Sequence, residues 1–400
     1  ILPDTPSGVA GGSKLTKITD GAVHFDGNGY LFAGSSSDYT FGTGDFTIEG
    51  YFYFDSSTTS PNDGLWQISG TSGGLQQANS TLSCNYETSG GKTRQLFMGS
   101  AGGWRQNGSD NEFLPFRWNH VAEVRSSGVI SVYINGKLSQ SWSDTTDYTF
   151  TDCVVGAYYS TSYRWNGYVS NFRVLKGTAL YTSNFIAPPV EALTNVTNTK
   201  LLCCQSNTQP GAAAVSPNVS GSLNTGTQWS AFATSNAAFS TTNTIQKAFD
   251  GDTSTKANTA ANTGYSQTSN YDNAIEFVPP FPIPYSSSIK VIGRNTGQTT
   301  MGVKIDTGSG YGSEIALSSD DLQTVVSGSG NLVRMQVVTK TYSGENELGG
   351  IQIDGVYLTD PVTPEQSGVT ATNFNPFITD VSTVRGQESG YAVLNPLNMH

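Results

Sequence analysis

Short runs of β-branched, aromatic and other apolar residues, alternating with polar positions, recur through the first half of the chain. Alternation with a period of two is typical of strands that bury one face. Turn-forming sequences such as Asp26-Gly27-Asn28-Gly29 separate the runs. Many short strands without a helical period favour an antiparallel sandwich or jelly roll. The pattern predicts strands at 22–25, 30–33, 46–54, 64–68, 95–98, 120–125, 129–134, 154–158 and 168–175.

The clearest local prediction is a β-hairpin around Asn135-Gly136, which lies between strand-like runs at 129–134 and 137–141. Asn and Gly tolerate the positive φ angles of a type I′ turn, whose twist matches that of the flanking strands.

A second set of strand-like runs follows at 273–278, 288–292, 302–305, 332–339 and 350–358. The proline cluster at 279–284 is unsuited to a central strand, because proline donates no ladder hydrogen bond, and we expect an extended connection there. One short helical turn is predicted at 245–249.

The segment 205–227 is rich in Ser, Asn, Gly, Ala and Pro and predicts a linker. The last forty residues show no period, and we expect them to pack on a neighbouring chain or domain. The predicted division is an N-terminal arm (1–19), a first β-sandwich (20–204), the linker (205–227), a second, smaller β-sandwich (228–360) and an extended C-terminal arm or connector (361–400).

Composition supports an all-β fold. Charged residues make up only 13% of the chain, Lys and Arg together number 20, and Gly numbers 45. Helix surfaces need Glu, Lys, Leu and Ala in quantity, whereas Gly, Ser, Thr, Asn and aromatics suit strands joined by tight turns.

Charge and hydropathy narrow the partners. The net charge of −11, without any basic run, argues against binding of nucleic acid. No stretch approaches the ~18 consecutive apolar residues of a membrane span, so we expect no membrane insertion. The start at Ile1, without an initiator Met or signal-peptide pattern, suggests a processed chain or a part of a longer one.

Four cysteines (Cys84, Cys153, Cys203 and Cys204) are too few for a disulfide framework at this length. Cys203 and Cys204 are adjacent and no Cys-x-x-Cys occurs, so we expect buried thiols rather than a zinc site.

The sequence offers little for catalysis, and we expect a non-enzymatic protein. Its three histidines include His120, for which a structural role beside Trp118 is favoured, and no Gly-x-Ser-x-Gly occurs. A glycosidase needs two carboxyl groups about 5–9 Å apart. Glu49 and Glu123 each stand alone in a strand-like run, while Glu345 and Glu347 lie in a predicted turn.

Four ordered stretches make the first part resemble the laminin-G-like, concanavalin-type jelly-roll family. They are 22–30, 46–52, 118–136 (Trp118-Asn119-His120 through Asn135-Gly136) and 167–174. The resemblance covers about 180 residues and implies a two-sheet sandwich that presents a binding face.

The second part is similar to discoidin-type or carbohydrate-binding sandwich modules through 245–255. In that group this loop often holds a structural calcium ion, and a Trp usually follows, where this chain has Lys256-Ala257-Asn258. Asp250, Asp252 and Thr255, with carbonyls near Ala248, supply oxygens of the kind that calcium prefers.

The alternative for this loop is an Asp-Gly turn held by its own hydrogen bonds. Asp26 is a weaker calcium candidate.

Aromatic residues are the candidate ligand-binding groups, because sugars stack on aromatic faces while polar side chains fix their hydroxyls. The densest group is Tyr158, Tyr159, Tyr163 and Trp165. A second is Trp104 with Asn107. Core packing or contact with a partner subunit is the alternative for each group.

The whole chain resembles virion fibre or appendage proteins of marine cyanobacterial bacteriophages through 172–181, 201–203, 351–358 and the connector-like 375–392. The resemblance implies a virion-surface protein that contacts other virion proteins and itself as a homo-oligomer, and that helps attachment to host-surface glycans. The alternatives are an architectural capsid decoration or tail assembly protein, and a secreted bacterial adhesin or carbohydrate-binding protein.

Overall fold

A computed structural model describes residues 21–55, 62–70, 81–87, 95–100, 103–105, 112–158, 163–186, 192–217, 227–259, 274–293, 301–317, 319–339, 345–365 and 367–376. Within these ranges the elements are strands and three short 3-10 helices, at Ser37–Tyr39, Trp229–Phe232 and Ile245–Ala248. The all-β prediction is confirmed, and the predicted helical turn at 245–249 is the last of these helices.

The first part of the chain contributes fourteen described strands. They are β1 (Ala22–Asp26), β2 (Tyr30–Ser35), β3 (Phe46–Phe54), β4 (Asn62–Ser69), β5 (Thr81–Glu87), β6 (Gln95–Ser100), β7 (Gly103–Arg105), β8 (Trp118–Ser126), β9 (Val129–Ile134), β10 (Lys137–Ser143), β11 (Asp152–Val155), β12 (Asn166–Lys176), β13 (Thr199–Cys203) and β14 (Ala213–Val215).

The second part contributes thirteen shorter described strands. They are β15 (Ala233–Thr234), β16 (Ala257–Asn258), β17 (Ile275–Phe277), β18 (Ile283–Tyr285), β19 (Ser288–Ile292), β20 (Met301–Asp306), β21 (Ile315–Leu317), β22 (Leu322–Ser327), β23 (Gly330–Leu332), β24 (Arg334–Thr339), β25 (Glu347–Leu348), β26 (Gly350–Ile353) and β27 (Val356–Tyr357). Two more, β28 (Thr363–Glu365) and β29 (Val369–Thr372), follow.

Two antiparallel sheets form the first sandwich. One has the order β10-β9-β8-β3-β12-β1-β29, with β13 also pairing with β12 and β14, and the other has the order β28-β2-β11-β4-β5-β6-β7. Strand β3 shows why they stack. Phe46, Ile48, Phe52 and Phe54 lie in the core between the sheets, while the alternate residues face outward.

The predicted hairpin is confirmed. Strands β9 and β10 pair with Ile134 opposite Lys137. Asn135 and Gly136 have φ angles of 51° and 78°, as a type I′ turn requires.

Buried cysteines fill part of the first core. Cys84, Cys153 and Cys203 lie among its apolar side chains, and all four cysteines are free thiols. Burial raises the pKa of Cys84 and Cys153, which keeps these thiols protonated and unreactive.

The second sandwich is smaller. Its sheets have the orders β15-β17-β24-β20-β21 and β22-β19-β26-β27, and two further strand pairs, β16-β25 and β18-β23, flank them. Trp229, Phe249 and Phe277 lie in its core. The prediction of a connection throughout 279–284 is wrong at its end, because Ile283–Tyr285 is a strand. Pro284 is tolerated there because β18 pairs with β23 alone.

After the second sandwich the chain returns to the first one. The first sandwich therefore includes residues beyond 360, whereas the predicted boundary ended it at 204. β28 pairs with β2, and β29 pairs with β1, so the start of the predicted arm extends both sheets of the first sandwich. Val362 and Val369 join its core. Within the predicted linker, β14 pairs with β13 in the same way. Residues 363–365 and 369–372 are therefore two strands of the first sandwich.

A buried polar cluster, centred on Glu49, lies on the outer face of β3. One carboxylate oxygen accepts hydrogen bonds from Arg173 Nε at 2.9 Å and Nη2 at 2.5 Å. The other contacts His120 Nε2 at 3.0 Å and accepts from the Tyr181 hydroxyl at 2.9 Å. Burial alone would raise the pKa of Glu49, but the His120 hydrogen bond and the Arg173 charge outweigh it and hold that pKa below its usual value. His120 thus has a structural position, as predicted.

Glu123 lies one residue from Ala122, the partner of Glu49 across the β3–β8 pair, and points to the opposite face. It is fully buried beside the Trp66 indole and has no partner at standard hydrogen-bond distance among the described residues. Burial, with the nearby charge of Asp144, raises the pKa of Glu123 well above its usual value, and a weak hydrogen bond from the Trp66 indole offsets only part of this rise. Burial therefore favours the neutral, protonated form of this carboxyl group inside the sandwich.

Substitution with glutamine is expected to change the free energy of unfolding differently at Glu49 and at Glu123. Glu49→Gln removes the negative partner of a buried arginine, so we expect the free energy of unfolding to fall by about 3 kcal/mol at neutral pH. Glu123→Gln exchanges one neutral group for another of similar shape, so we expect a change within about 1 kcal/mol near pH 5. Guanidinium unfolding of the intact chain, followed by tryptophan fluorescence, measures both.

Glu123 and Glu49 make the stability of the fold depend on pH in opposite directions. Because the pKa of Glu123 is raised, the wild type loses stability as the pH rises above the ordinary glutamate value of about 4.3, and Glu123→Gln escapes this loss. The pKa of Glu49 is lowered, so its charged form stabilises the fold above the ordinary glutamate value of about 4.3. This stabilisation is lost as the pH falls from that value through the lowered pKa of Glu49. Identical pH profiles for the two variants would contradict these charge states.

Candidate functional site

Two described residues of the predicted aromatic loop, Tyr158 and Trp165, belong to the core. Trp165 is fully buried and packs against Phe52 and Phe54, with ring centroids 5.9 and 5.3 Å away. Tyr158 is 5% exposed and stacks on the half-buried Tyr163 at 5.3 Å. Trp165 and Tyr158 therefore have no free ring face for a sugar, which corrects the expectation for these two residues. The sequence pattern misled because aromatic density alone does not distinguish a binding loop from a core.

Three other predicted residues are not placed by the structure. Tyr159 and Asn107 lie outside the described residues, as does the side chain of Trp104, whose backbone belongs to β7. Their predicted role in ligand binding stays a prediction.

A second aromatic group crosses the outer face of the first sheet. His24, Tyr168, Tyr53 and Trp118 are direct cross-strand neighbours on β1, β12, β3 and β8. Phe374 lies over this row, with its ring centroid 4.7 Å from Tyr168 and 4.9 Å from Tyr53. The row therefore anchors the chain after β29.

The candidate calcium loop brings its predicted residues together. Thr255 Oγ1 lies 2.8 Å from Asp250 Oδ2, 3.1 Å from the Lys247 carbonyl and 3.0 Å from the Asp252 carbonyl. Thr255 has one hydroxyl proton for three acceptors, so four oxygens lie close together, and Lys247 Nζ, 3.7 Å from Asp250 Oδ2, offsets part of their negative charge. Turn hydrogen bonds are also present, since Asp250 Oδ1 accepts from Asp252 N and Asp252 Oδ1 accepts from Ser254 N, both at 2.8 Å.

Asp26 shows the simpler arrangement. Its Oδ1 accepts from Asn28 N at 2.9 Å, which is an Asx turn on an exposed loop. Among the described residues, no three His, Cys, Asp or Glu side chains gather in a way that could hold a metal ion.

A cleft of about 640 Å³ lies where the outer face of β2 meets the loop after the 3-10 helix Ile245–Ala248. On β2, Leu31 and Ala33 enter the core, so Tyr30 and Phe32 face the cleft. The opposite wall and floor come from the second sandwich and the returning chain. The lining residues are Tyr30, Phe32, Gly34, Ser35, Lys247, Asp250, Gly251, Asp252, Thr253, Thr255, Thr359, Asp360, Thr363 and Glu365.

Lys247 links the two walls. Its Nζ lies 2.7 Å from Glu365 Oε2, on a strand of the first sandwich, and 3.7 Å from Asp250 Oδ2. Burial alone would lower the pKa of Lys247, but the charge of Glu365 and the hydrogen bond to it raise it, so the ammonium stays charged.

Burial shifts the acidic groups of the cleft. It raises the pKa of Asp250 to about 6 and that of Asp360 to about 7. Asp360 accepts hydrogen bonds from Ser230 N at 3.1 Å and Ser230 Oγ at 2.5 Å. Burial, and then the charge of Glu365, raises the pKa of Tyr30 to about 12, so its phenol is a neutral donor at physiological pH.

Sequence reasoning placed Tyr30 and Phe32 only in a strand and missed Thr359 and Glu365. The available signal was the pair of aromatic residues at alternate positions of one strand, facing away from the core. No local pattern indicates that Glu365 lies beside Tyr30, because that contact depends on strands more than 300 residues apart.

A family model described as the concanavalin A-like lectin/glucanases superfamily matches residues 25–180. No curated protein matches the sequence. In the part of the chain that the structure describes, no helix is long and apolar enough to cross a membrane.

Solved structures are similar at low identity. A Bacteroides ovatus protein to which carbohydrate binding has been attributed is 21% identical, covering 50% of this chain, with a TM-score of 0.37. The chain spans 56% of that protein's length. A heptameric SAP-like pentraxin from Limulus polyphemus is 17% identical, covering 41% of this chain and 79% of its own, with a TM-score of 0.31.

A carbohydrate-binding module (CBM40) of a Ruminococcus gnavus IT-sialidase, solved with α2,3-sialyllactose, is 10% identical. It covers 40% of this chain and 91% of its own, with a TM-score of 0.29. The family match and the sheet topology agree, and the N-terminal part of the chain is a concanavalin-type, laminin-G-like jelly-roll sandwich.

Proposed function

We propose that this chain is a non-enzymatic structural protein of a phage virion, in a fibre, spike or appendage, that helps attachment to the host by binding surface glycans in the cleft between its sandwiches. The observation that carries the binding role is the composition of that cleft. Two aromatic side chains, Tyr30 and Phe32, form one wall, and hydrogen-bonding groups of a second domain form the other.

This arrangement suits a saccharide. Aromatic faces stack on the apolar faces of sugar rings, while carboxylates, hydroxyls and ammonium groups bond to their hydroxyls. A volume of about 640 Å³ falls within the range of small-molecule sites. Location between two domains is also common for such sites.

The acidic groups of the cleft support binding rather than hydrolysis. Asp360 is held by Ser230, Glu365 by Lys247, and Asp250 by Thr255 and the backbone of its own loop. Because each of these carboxyl groups is fixed by partners within this chain, we propose that they orient ligand hydroxyls rather than act as a general acid.

The virion assignment rests on the resemblance of 172–181 and 351–358 to phage appendage proteins, which typically act as assemblies of identical subunits. We therefore propose a position on the virion surface and contacts with other virion proteins and further copies of this chain. A purely architectural role is the alternative, in which a neighbouring subunit fills the cleft.

We also propose that the 250–255 loop holds calcium. Asp250 Oδ2, Thr255 Oγ1 and the carbonyls of Lys247 and Asp252 would be its ligands, with water completing the shell. Such an ion would fix the wall of the cleft that carries Asp250.

Alanine substitution in the cleft tests the glycan role. We expect the intact chain to bind members of a glycan array, and Phe32→Ala or Tyr30→Ala to weaken the best array ligand about tenfold through lost stacking. Phe281→Ala is the matched control, because Phe281 is 48% exposed and does not line the cleft. Titration calorimetry measures each affinity. Absence of array binding, or equal affinity in all variants, would refute the proposal.

Imaging of the source particle tests the location. Electron cryomicroscopy of intact phage is expected to trace this chain on the particle surface with Tyr30 and Phe32 open to solvent. A cleft filled by a neighbouring subunit would favour the architectural alternative. Absence of the chain from purified particles would favour a secreted protein.

Calcium titration tests the loop. An ion that binds only the folded chain raises its melting temperature, and saturation about 100-fold above the dissociation constant adds about 2.7 kcal/mol. We expect calcium to raise the melting temperature by several degrees in the wild type and in Asp26→Asn, but not in Asp250→Asn. The same rise in Asp250→Asn, or none in the wild type, would show that the loop is a turn without an ion.

A further inference from the structure

The charge of the cleft indicates which glycans it accepts, if the proposed glycan role holds. We infer that the cleft selects uncharged saccharides and rejects acidic ones such as sialylated, sulfated or uronic acid-containing glycans. Four carboxyl-bearing residues line it, namely Asp250, Asp252, Asp360 and Glu365, against one lysine among the described lining residues. This excess of negative charge belongs to the cleft without calcium, because an ion bound at Asp250 would offset it, so the selectivity is measured in the presence of EDTA.

The ammonium group of Lys247 is already paired with carboxylates and is not free to bind an anionic ligand. Lys247 Nζ is 2.7 Å from Glu365 Oε2 and 3.7 Å from Asp250 Oδ2, so an acidic sugar would compete with two fixed carboxylates. Recognition of a carboxylate or sulfate normally uses a free arginine or lysine. No described lining residue provides one.

Arg164 lies beside the aromatic wall and is also engaged in contacts within the chain. Its guanidinium lies 6.0 Å from the centroid of the Tyr30 ring and donates to the Asn28 carbonyl. It is not a lining residue of the cleft. Lys256, at the far end of the same loop, forms an ion pair with Glu347.

The acidic groups already oppose further negative charge. Glu365 and Asp250 lie 2.7 and 3.7 Å from Lys247 Nζ, and Asp252 and Asp360 line the same cleft. A bound anion would add to the same repulsion in a partly desolvated site.

The test compares neutral glycans with acidic derivatives of the same core on one array, followed by calorimetry with the best matched pair. We expect the neutral member to bind at least about tenfold more tightly at low salt. The difference should narrow as sodium chloride rises from about 50 to 500 mM, because salt screens the carboxylates.

Charge reversal at the rim provides the matched variant. Asp252 is exposed, so Asp252→Lys is expected to fold and to reduce the discrimination against the acidic member severalfold, whereas Asp252→Asn should have a smaller effect.

The outcomes separate this inference from the proposed function. Tighter binding of the acidic member that is lost in Phe32→Ala would overturn the selectivity and leave glycan binding in the cleft intact. Binding that no cleft variant changes, or no binding to any member, would overturn the proposed site and the selectivity with it.

Discussion

The return of the chain to the first sandwich after residue 360 is the constraint on which the arrangement of the two sandwiches depends. Strand β28 places Glu365 directly opposite Tyr30, within reach of Lys247 from the second sandwich. Just before it, the buried Asp360 binds Ser230, which fixes the exit of the chain from the second core. Backbone pairing on one side and buried polar contacts on the other therefore define the cleft, and neither domain alone contains it.

Local patterns were sufficient for much of the fold. Asn135-Gly136 tolerates positive φ angles and predicted a hairpin, and the strand-like run at 46–54 predicted β3. The ordered stretches between 22 and 174 then indicated the sandwich that the family match supports. These features are readable because each depends on residues close in sequence, or on a period that burial imposes.

The candidate site was less accessible for the opposite reason. Trp165 belongs to a loop-like stretch rich in tyrosine, yet it fills the space between two sheets, which only the folded geometry reveals. Glu49 and Glu123 look alike in sequence, one acid in each of two strands. Their environments differ because one faces Arg173 and the other faces an apolar interior. The charge state of each glutamate depends on the groups around it, and those groups come from strands that are distant in the sequence.

The pairing of β28 and β29 with β2 and β1 also affects how the molecule is made. The first sandwich is discontinuous in sequence, with the whole second sandwich inserted before its last two strands. Once residues 21–217 have left the ribosome, the two sheets of the first sandwich can form. Their strands β1 and β2 still lack β29 and β28, the neighbours that cover them in the complete chain. Such open edges are templates for pairing with other chains, so the nascent protein is exposed to aggregation until residue 372 emerges.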